Sequence, residues 1–152
     1  MRRNEKEITD IDEIEEIISR AKVCHLGLMD GDEPYVVPVC FGYERKALYF
    51  HSALEGRKVE LIRKNGKVCF EMDVDMEVAI ARKPCDWTAK YRSVIGVGKA
   101  CILDNEEEKA NGLRLIMKQY SEGESDFDFE KLTLILVIKI NIESISGKKS
   151  GY

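Results

Sequence analysis

The sequence predicts a mainly β protein, an antiparallel β-barrel with flanking helices, as a single domain over residues 1–152. About seven strand-like segments follow one another in hairpin succession instead of alternating with helices, which argues against a doubly wound parallel sheet. Helical patterns occur only at the start, in the middle and late in the chain. The length suits one domain, and no linker or internal repeat divides it.

The first predicted element is an amphipathic helix over residues 11–22. Thr9 and Asp10 are suited to cap its amino end, and acidic residues in the first turn interact favourably with the helix dipole. Apolar residues recur at helical spacing in one stripe, formed by Ile11, Ile14, Ile17, Ile18 and Ala21. The stripe indicates a helix that covers part of a sheet.

Three strands are predicted next. Residues 23–29 form an apolar segment, and the cluster at 30–34 is typical of a turn. Residues 35–43 alternate between two faces, and residues 47–51 return as a strand. Pro38 cannot donate a hydrogen bond to a neighbouring strand, so we expect part of its strand to be an edge or a bulge.

A middle helix is predicted over residues 52–65. Ser52 and Glu55 have the spacing of a capping box at its amino end, and Asn65 with Gly66 is typical of a helix end. Two further strands, 67–73 and 76–81, are predicted to follow this helix.

The last third of the chain is predicted to alternate between strand, helix and strand. An irregular connection over 82–92 leads to a strand at 93–103. Asp104 or Asn105 is suited to cap a late helix. We expect its inward face to carry Ala110, Leu113, Met117 and Tyr120. The chain then continues as an acidic loop at 121–129, a final strand at 133–145 and a short tail at 147–152.

The charge pattern excludes several classes of function. The net charge is −4 and the basic residues are scattered, so the chain lacks the clustered basic face of a nucleic-acid-binding protein. No run approaches the ~20 apolar residues that span a bilayer, and the amino end lacks the apolar segment of a signal peptide. We therefore expect a cytoplasmic protein without a membrane partner. The glycine-rich nucleotide motifs, G-x-S-x-G and H-E-x-x-H are absent.

The five cysteines indicate neither a disulfide framework nor a zinc site. Their number is odd and no C-x-x-C pair occurs. Because four of the five lie in apolar, strand-like segments, we expect them to be small buried side chains in a reducing compartment.

The segment 48–58 is a candidate anion-binding site. It reads as strand, turn and helix, and the free N–H groups at a helix amino end attract anions. Ser52 adds a hydroxyl group, Gly56 permits close approach of a ligand, and Arg57 and Lys58 add positive charge suited to a phosphate. An ordinary capped helix with solvated basic residues is the alternative.

The segment 84–94 is a second candidate site. It holds the only tryptophan, Trp87, together with Tyr91, Arg92 and Ser93. An aromatic ring and a guanidinium group near a strand suit a planar, partly charged ligand. The alternative is a structured loop anchored by a buried Trp87.

The two histidines do not specify a metal site, which needs three or four converging ligands. His25 is interpreted as a packed strand residue, since only Cys24 lies beside it. His51 directly precedes the candidate anion site, and its role stays open between packing and catalysis.

Taken in order, these segments resemble the pyridoxamine 5′-phosphate oxidase-like flavoproteins, and within them the nitroimidazole-resistance group. The resemblance covers nearly the whole chain and is carried by residues 34–43, 48–53, 56–58, 68–71, 91–94 and 98–100. It implies a split β-barrel of the Greek-key antiparallel, FMN-binding type. It also implies a homodimer that holds FMN, or alternatively FAD, at the subunit interface.

The resemblance also implies roles for individual residues. Backbone contacts of Pro38, Val39 and Cys40 would line the isoalloxazine ring, and His51, Ser52 and Ala53 would follow the ribityl chain. His51 is in addition the candidate catalytic residue. The phosphate would meet Gly56, Arg57 and Lys58. The residues that would close the site from the partner subunit are Trp87, Arg92, Ser93 and Val94.

One departure from the family pattern bears on the substrate. The chain ends soon after its last predicted strand, where the oxidases that act on pyridoxamine phosphate carry a further arginine-bearing segment. We therefore expect a flavin-dependent oxidoreductase that reduces a small acceptor such as a nitroimidazole or another nitroaromatic compound. The alternative is a non-catalytic carrier or sensor that binds flavin or haem, with His51 or His25 as the axial ligand of the haem.

Overall fold

The computed structural model describes residues 4–121 and 132–152, and its strands join into one antiparallel sheet with flanking helices. The predicted mainly β class is therefore confirmed. The strands are β1 (Glu7–Ile8), β2 (Cys24–Asp30), β3 (Glu33–Val39), β4 (Gly42–Glu44), β5 (Ala47–Ser52), β6 (Lys67–Ala79), β7 (Thr88–Ile102) and β8 (Leu136–Ser150). The helices are α1 (Ile11–Arg20), α2 (Arg57–Lys64) and α3 (Glu106–Tyr120), with short 3₁₀ turns at Asn4–Lys6, Pro84–Asp86 and Leu132–Leu134.

The sheet runs in the order β3-β2-β6-β7-β8-β5-β4, and β1 pairs with β8. Its inner face carries the main core, in which Phe41, Phe50 and Phe70 are fully buried. The helix α1 covers this core with Ile14, Ile17 and Ile18, and the Asp10 side chain caps it by accepting from the amide of Asp12 at 3.0 Å. The predicted first helix and its cap are thus confirmed.

The strand β3 lies at one end of the strand order, so Pro38 occupies an edge strand as expected. The predicted strand 35–43 is nevertheless wrong in its length, because the chain leaves the sheet after Val39 and re-enters it at Gly42. Gly42 packs against the main chain of α3, where a Cβ atom would collide with the backbone of Leu115. This contact fixes the place at which the strand is interrupted.

The predicted break between residues 73 and 76 is also wrong, because β6 is continuous from Lys67 to Ala79. A β-bulge between Val74 and Glu77 takes its place, with Asp75 in the left-handed region at φ 59°. The connection predicted as irregular over 82–92 is shorter than expected, since β7 already begins at Thr88.

A second apolar cluster lies on the opposite face of the sheet, under α3. Asn105 caps this helix by accepting from the amide of Glu108 at 3.1 Å. The predicted inward face is only partly correct, because Met117 and Tyr120 are exposed. The buried residues are Gly112, Leu113, Leu115 and Ile116. Gly112 lets the helix approach the sheet, since a Cβ atom there would lie 2.8 Å from the side chain of Val137.

The last strand extends beyond the predicted residue 145. Because β8 continues to Ser150 and pairs with β7, most of the expected tail belongs to the sheet. The predicted acidic loop lies outside the described residues except for Ser121. Among the described helices, none combines the length and apolar character needed to span a bilayer.

The prediction of buried cysteines holds for Cys24 alone. Cys40, Cys69, Cys85 and Cys101 are all exposed. Apolar neighbours in the sequence did not imply burial, because Cys69 and Cys101 point to the outer face of the sheet while their neighbours point inward. Burial raises the pKa of the Cys24 thiol to about 12.

Candidate functional site

The amino end of α2 differs from the predicted capping box. Ser52 belongs to β5 and pairs with Leu136, and the helix begins only at Arg57. Its N-cap is Gly56, and no side chain caps the helix there. The first-turn N–H groups are therefore available to an external acceptor, which is the property that makes helix amino ends bind anions.

Gly56 shapes the space in front of this helix. Its φ of 131° is a conformation that side-chain-bearing residues rarely adopt. An added Cβ atom would meet no atom within 4 Å, so the backbone here borders open space. A ligand can thus reach the backbone of the turn directly.

Lys58 places a positive charge beside this turn without a carboxylate partner among the described residues. Its ammonium group lies 5.3 Å from the centre of the Phe50 ring. Burial lowers the pKa of Lys58, because a partly desolvated ammonium group is less stable. An incoming anion would supply the missing counter-charge.

Arg57 is engaged by the β2–β3 hairpin. Its Nε donates to Asp30 at 3.0 Å, Nη2 lies 3.6 Å from Glu33, and the guanidinium group stacks over Tyr35 at 4.8 Å. These contacts join the start of α2 to the end of β2 and the start of β3. A phosphate would have to share Arg57 with two carboxylates, whereas Lys58 is available.

The predicted ring-binding residues lie on and just after the edge strand β3. Pro38 faces outward opposite His25, Val39 is buried opposite Cys24, and Cys40 is exposed. An edge strand leaves half of its backbone N–H and C=O groups without a strand partner. Such groups can hydrogen-bond the polar edge of a flat heterocycle.

Tyr120 of α3 fixes the backbone immediately after Cys40. Its hydroxyl group accepts from the amide of Phe41 at 3.0 Å and donates to the carbonyl of Lys22 at 3.1 Å. Burial, with a smaller contribution from Cys40, raises the pKa of Tyr120 to about 12, although the Phe41 amide opposes the shift. The phenol is therefore neutral and acts as a fixed hydrogen-bonding group.

His51 and Ser52 project to opposite faces of β5, since side chains alternate along a strand. His51 pairs with Val137 and is exposed, and Ser52 pairs with Leu136 and is half-buried. A ligand on the Phe50 side of the strand can meet the Ser52 side chain, whereas the His51 side chain points away from that side. Ala53 follows the strand and is exposed.

The second candidate segment lies apart from the first in this chain. Trp87 is half-exposed, and its indole N–H donates to the carbonyl of Ala81 at 2.8 Å. Arg92 donates to Asp75 at 2.6 Å, Ser93 is buried, and Val94 is part of the core. No hydrogen bond, ion pair or ring contact within residues 4–121 and 132–152 links this segment to Arg57 or Lys58.

A cluster of titratable groups on the outer face of the sheet was missed by sequence reasoning. His25 Nδ1 lies 3.2 Å from Glu71 Oε2, and Asp73 lies next along the same face of β6. Burial and the nearby Asp73 raise the pKa of Glu71, and His25 opposes this shift. Alternation along β6 groups the two acids, but only the pairing of β2 with β6 brings His25 to them.

Comparison with known proteins gives one family and several solved structures. Residues 10–149 match the family model described as pyridoxamine 5′-phosphate oxidase. No curated protein matches the chain. The structure of a proposed 5-nitroimidazole antibiotic resistance protein from Bacteroides thetaiotaomicron is 31% identical, with a TM-score of 0.82 over 94% of this chain and 86% of that one.

Two further structures share the fold at lower identity. A flavocytochrome from Azotobacter vinelandii is 22% identical, with a TM-score of 0.85 over 100% of this chain and 72% of that one. An FAD and heme binding protein from Mycobacterium smegmatis is 17% identical, with a TM-score of 0.85 over 97% and 74% of the two chains. Together with the sheet order, these similarities establish the split β-barrel that the sequence predicted.

Proposed function

Because the chain belongs to the pyridoxamine 5′-phosphate oxidase family, we propose that it is a flavin-binding oxidoreductase with the flavin phosphate at the amino end of α2. The observation that carries the proposal is the uncapped helix, which begins at Gly56 with open space before it and with Lys58 beside it. Free N–H groups, the helix dipole and an ammonium group that no carboxylate of the described residues contacts form a donor set suited to a phosphate.

The remaining contacts follow from the directions of the strands. Arg57 touches Tyr35, and Pro38 lies three residues further along β3, which corresponds to about 10 Å at the usual rise of a strand. We propose that the ribityl chain lies beside Ser52 and Ala53, with the isoalloxazine ring against the backbone of residues 38–40. FMN would suit this arrangement, and FAD would extend from the same phosphate.

We place a second copy of the chain over the outer end of the β6–β7 hairpin. Exposed apolar side chains concentrate there, and such patches are typical of interfaces. They are Met76, Val78, Ile80 and Trp87. A homodimer would cover them and would bring Trp87 of one subunit towards the flavin of the other, while Ser93 is buried within its own chain.

When bound, a flavin supplies the electron transfer, and the protein supplies placement and electrostatics. We propose a small nitroaromatic compound as the acceptor, supported by the 31% identity to the proposed 5-nitroimidazole resistance protein. His51 is the candidate proton donor, because its side chain is exposed at the end of β5. Because the His51 side chain points away from the Phe50 side, where the flavin is placed, this role requires the acceptor to contact both groups around the end of β5.

The free cysteines indicate that the protein works in a reducing compartment. Four of the five cysteines are exposed and unpaired, and such thiols persist where glutathione and thioredoxin keep them reduced. We therefore propose a cytoplasmic protein.

The visible spectrum of the purified protein tests the proposal directly. We expect flavin absorption, release of FMN or FAD on denaturation as identified by mass, and reoxidation of the reduced protein by a nitroaromatic compound. The Gly56→Ala variant should bind flavin more weakly, because it strains the turn in front of α2. A folded protein that takes up neither flavin at micromolar concentration would overturn the proposal.

A carrier or sensor that binds flavin or haem without turnover is the second candidate. It is favoured by the exposure of both histidines, because an axial ligand must be accessible. Stable cofactor uptake without donor-driven turnover would support this function. A haem spectrum that changes in His51→Ala or in His25→Ala would identify the ligand.

A further inference from the structure

Three groups with metal-binding chemistry meet on the outer face of the two adjacent strands β2 and β6. His25 stands directly opposite Glu71 in the β2–β6 ladder, and Asp73 follows Glu71 on the same face. One ligand atom from each side chain lies within 4.8 Å of the others. The three side chains thus converge without any rearrangement of the backbone.

Among the described residues, His25 is the one charged or chargeable group that contacts a carboxylate of the cluster. His25 contacts Glu71 at 3.2 Å, but the carboxylate of Asp73 makes no hydrogen bond or ion pair in the part of the chain that the structure describes. Two basic residues, Arg20 and Lys22, line the cavity beside the cluster, and Arg20 is already held by Asp75 and by Glu16 at 3.6 Å. A cation bound between the two carboxylates would remove their repulsion.

The site is accessible and rigidly framed. The side chains of His25 and Glu71 are 45% and 36% exposed. A surface cavity of about 470 Å³ adjoins the cluster, with His25, Asp73, Asp75, Arg20 and Lys22 in its wall. On the opposite face, Leu26 and Phe70 are fully buried in the core. An ion and its water ligands can therefore enter, while packing holds the strands in place.

The donor set selects the class of ion. One imidazole nitrogen and two carboxylates are ligands that first-row divalent ions accept together, whereas Ca²⁺ and Mg²⁺ bind oxygen ligands almost exclusively. We propose that His25, Glu71 and Asp73 form a binding site for a divalent first-row transition-metal ion, with water in the remaining positions. This site is independent of the flavin phosphate site.

Mn²⁺ is the probe of choice, because the four exposed thiols would compete for Zn²⁺ but attract Mn²⁺ weakly. Loss of the free Mn²⁺ signal in electron paramagnetic resonance measures binding to the full-length protein. We expect one ion per chain at micromolar concentration, which equimolar Mg²⁺ does not displace. Displacement by equimolar Mg²⁺, or no loss of signal, would overturn the proposal.

The ligands are tested with His25→Ala, Glu71→Gln and Asp73→Asn. Each should weaken Mn²⁺ binding at least about tenfold, because loss of even an outer partner of a ligand typically costs that much. The matched controls are His51→Ala, the only other histidine, and Glu77→Gln, an exposed carboxylate further along β6. Unchanged affinity in the three ligand variants would place the ion elsewhere and refute the site.

A measurement on the unaltered chain keeps the test valid if a variant fails to fold. The two histidines give separate imidazole resonances in nuclear magnetic resonance spectra. Substoichiometric Mn²⁺ should broaden the resonances of His25 and leave those of His51 sharp. Equal broadening of both, or none, would contradict binding at His25.

Discussion

The hydroxyl group of Tyr152 donates a 2.8 Å hydrogen bond to the main-chain carbonyl of Asp75, the residue that forms the left-handed bulge of β6. The Tyr152 ring also stacks over the guanidinium group of Arg92 at 4.2 Å. Both Arg92 and Arg20 donate to the Asp75 carboxylate. The bulge is therefore held by residues from three separate parts of the chain.

This arrangement predicts a specific pH dependence of stability. The hydrogen bonds from Arg20 and Arg92 lower the pKa of Asp75 below its ordinary value of ~3.9. Their contribution to the free energy of unfolding is fully present above the pKa of the unfolded chain and is lost as the pH falls through the folded-state pKa. Urea denaturation from pH 7 to pH 2.5 should show this loss below about pH 4.

The variant Asp75→Asn tests whether the Asp75 carboxylate causes this loss of stability. Asparagine tolerates the left-handed backbone conformation and removes the charge. The variant should be less stable than the parent at neutral pH, and the difference should shrink in acid. A difference that stays constant down to pH 2.5 would contradict the role assigned to the carboxylate.

Lys58 should matter more for flavin binding than Arg57. Arg57 is shared with Asp30 and Glu33, whereas Lys58 has no acidic partner in the described part of the chain. Lys58→Ala should therefore raise the flavin dissociation constant by about tenfold, equivalent to ~1.4 kcal/mol, and Arg57→Ala by less. Flavin fluorescence quenching measures both values. A larger effect of Arg57→Ala would show that the phosphate displaces the two carboxylates from Arg57.

Gln119 should stabilise the carboxyl end of α1. Its amide nitrogen lies 3.0 to 3.1 Å from the carbonyl oxygens of Ile18, Ser19 and Ala21, which share its two N–H groups. Gln119→Ala should cost about 1–2 kcal/mol, because these carbonyls lose their donor. Gln119→Glu has the same shape but turns a negative charge towards them, so it should cost more at neutral pH. Thermal denaturation at pH 7 and pH 4 should show partial recovery of the Glu variant in acid.

Gly42 should tolerate no side chain. Because a Cβ atom there would collide with the main chain of Leu115, Gly42→Ala must displace α3 and should cost about 1–3 kcal/mol. The control is Gly31→Asn in an exposed turn at φ 63°, where asparagine is tolerated and the change should be within about 0.5 kcal/mol. Equal stability of Gly42→Ala and the parent would disprove the close packing.

The thiols should react in two classes. Cys24 is buried and its pKa is raised to about 12, so it has almost no reactive thiolate at pH 8. A disulfide reagent should modify the four exposed cysteines of the native protein and the fifth only after denaturation. Cys24→Ser should leave the native reaction unchanged and should remove only the thiol that reacts after denaturation. A fast reaction of all five would contradict the burial of Cys24.

Local patterns predicted those features that depend on neighbouring residues. The cap at Asp10, the edge position of Pro38 and the cap at Asn105 were predicted because each follows from the chemistry of a short segment. The start of α2 was predicted wrongly. Ser52 belongs to β5 because it pairs with Leu136 of the distant strand β8, and the helix is therefore preceded by Gly56 as its N-cap.

Features that depend on distant residues were predicted poorly. An acid in the middle of a strand indicates a break, yet β6 continues through Asp75 because Arg20 and Arg92 approach it from elsewhere. The group of His25 with Glu71 and Asp73 depends on which strands become neighbours. The roles assigned to residues 38–40, 51–53, 56–58, 87 and 92–94 in binding flavin stay predictions.

The pairing of β5 with β8 has a consequence for how the chain folds. Phe50 in β5 pairs with Ile138 in β8. The ribosome therefore synthesises β5 long before the strand that pairs with it. Most of the sheet's other long ladders also wait for β7 or β8. Such high contact order predicts slow folding and prolonged exposure of an unpaired apolar strand. A nascent chain arrested before residue 136 should therefore be a good substrate for chaperones.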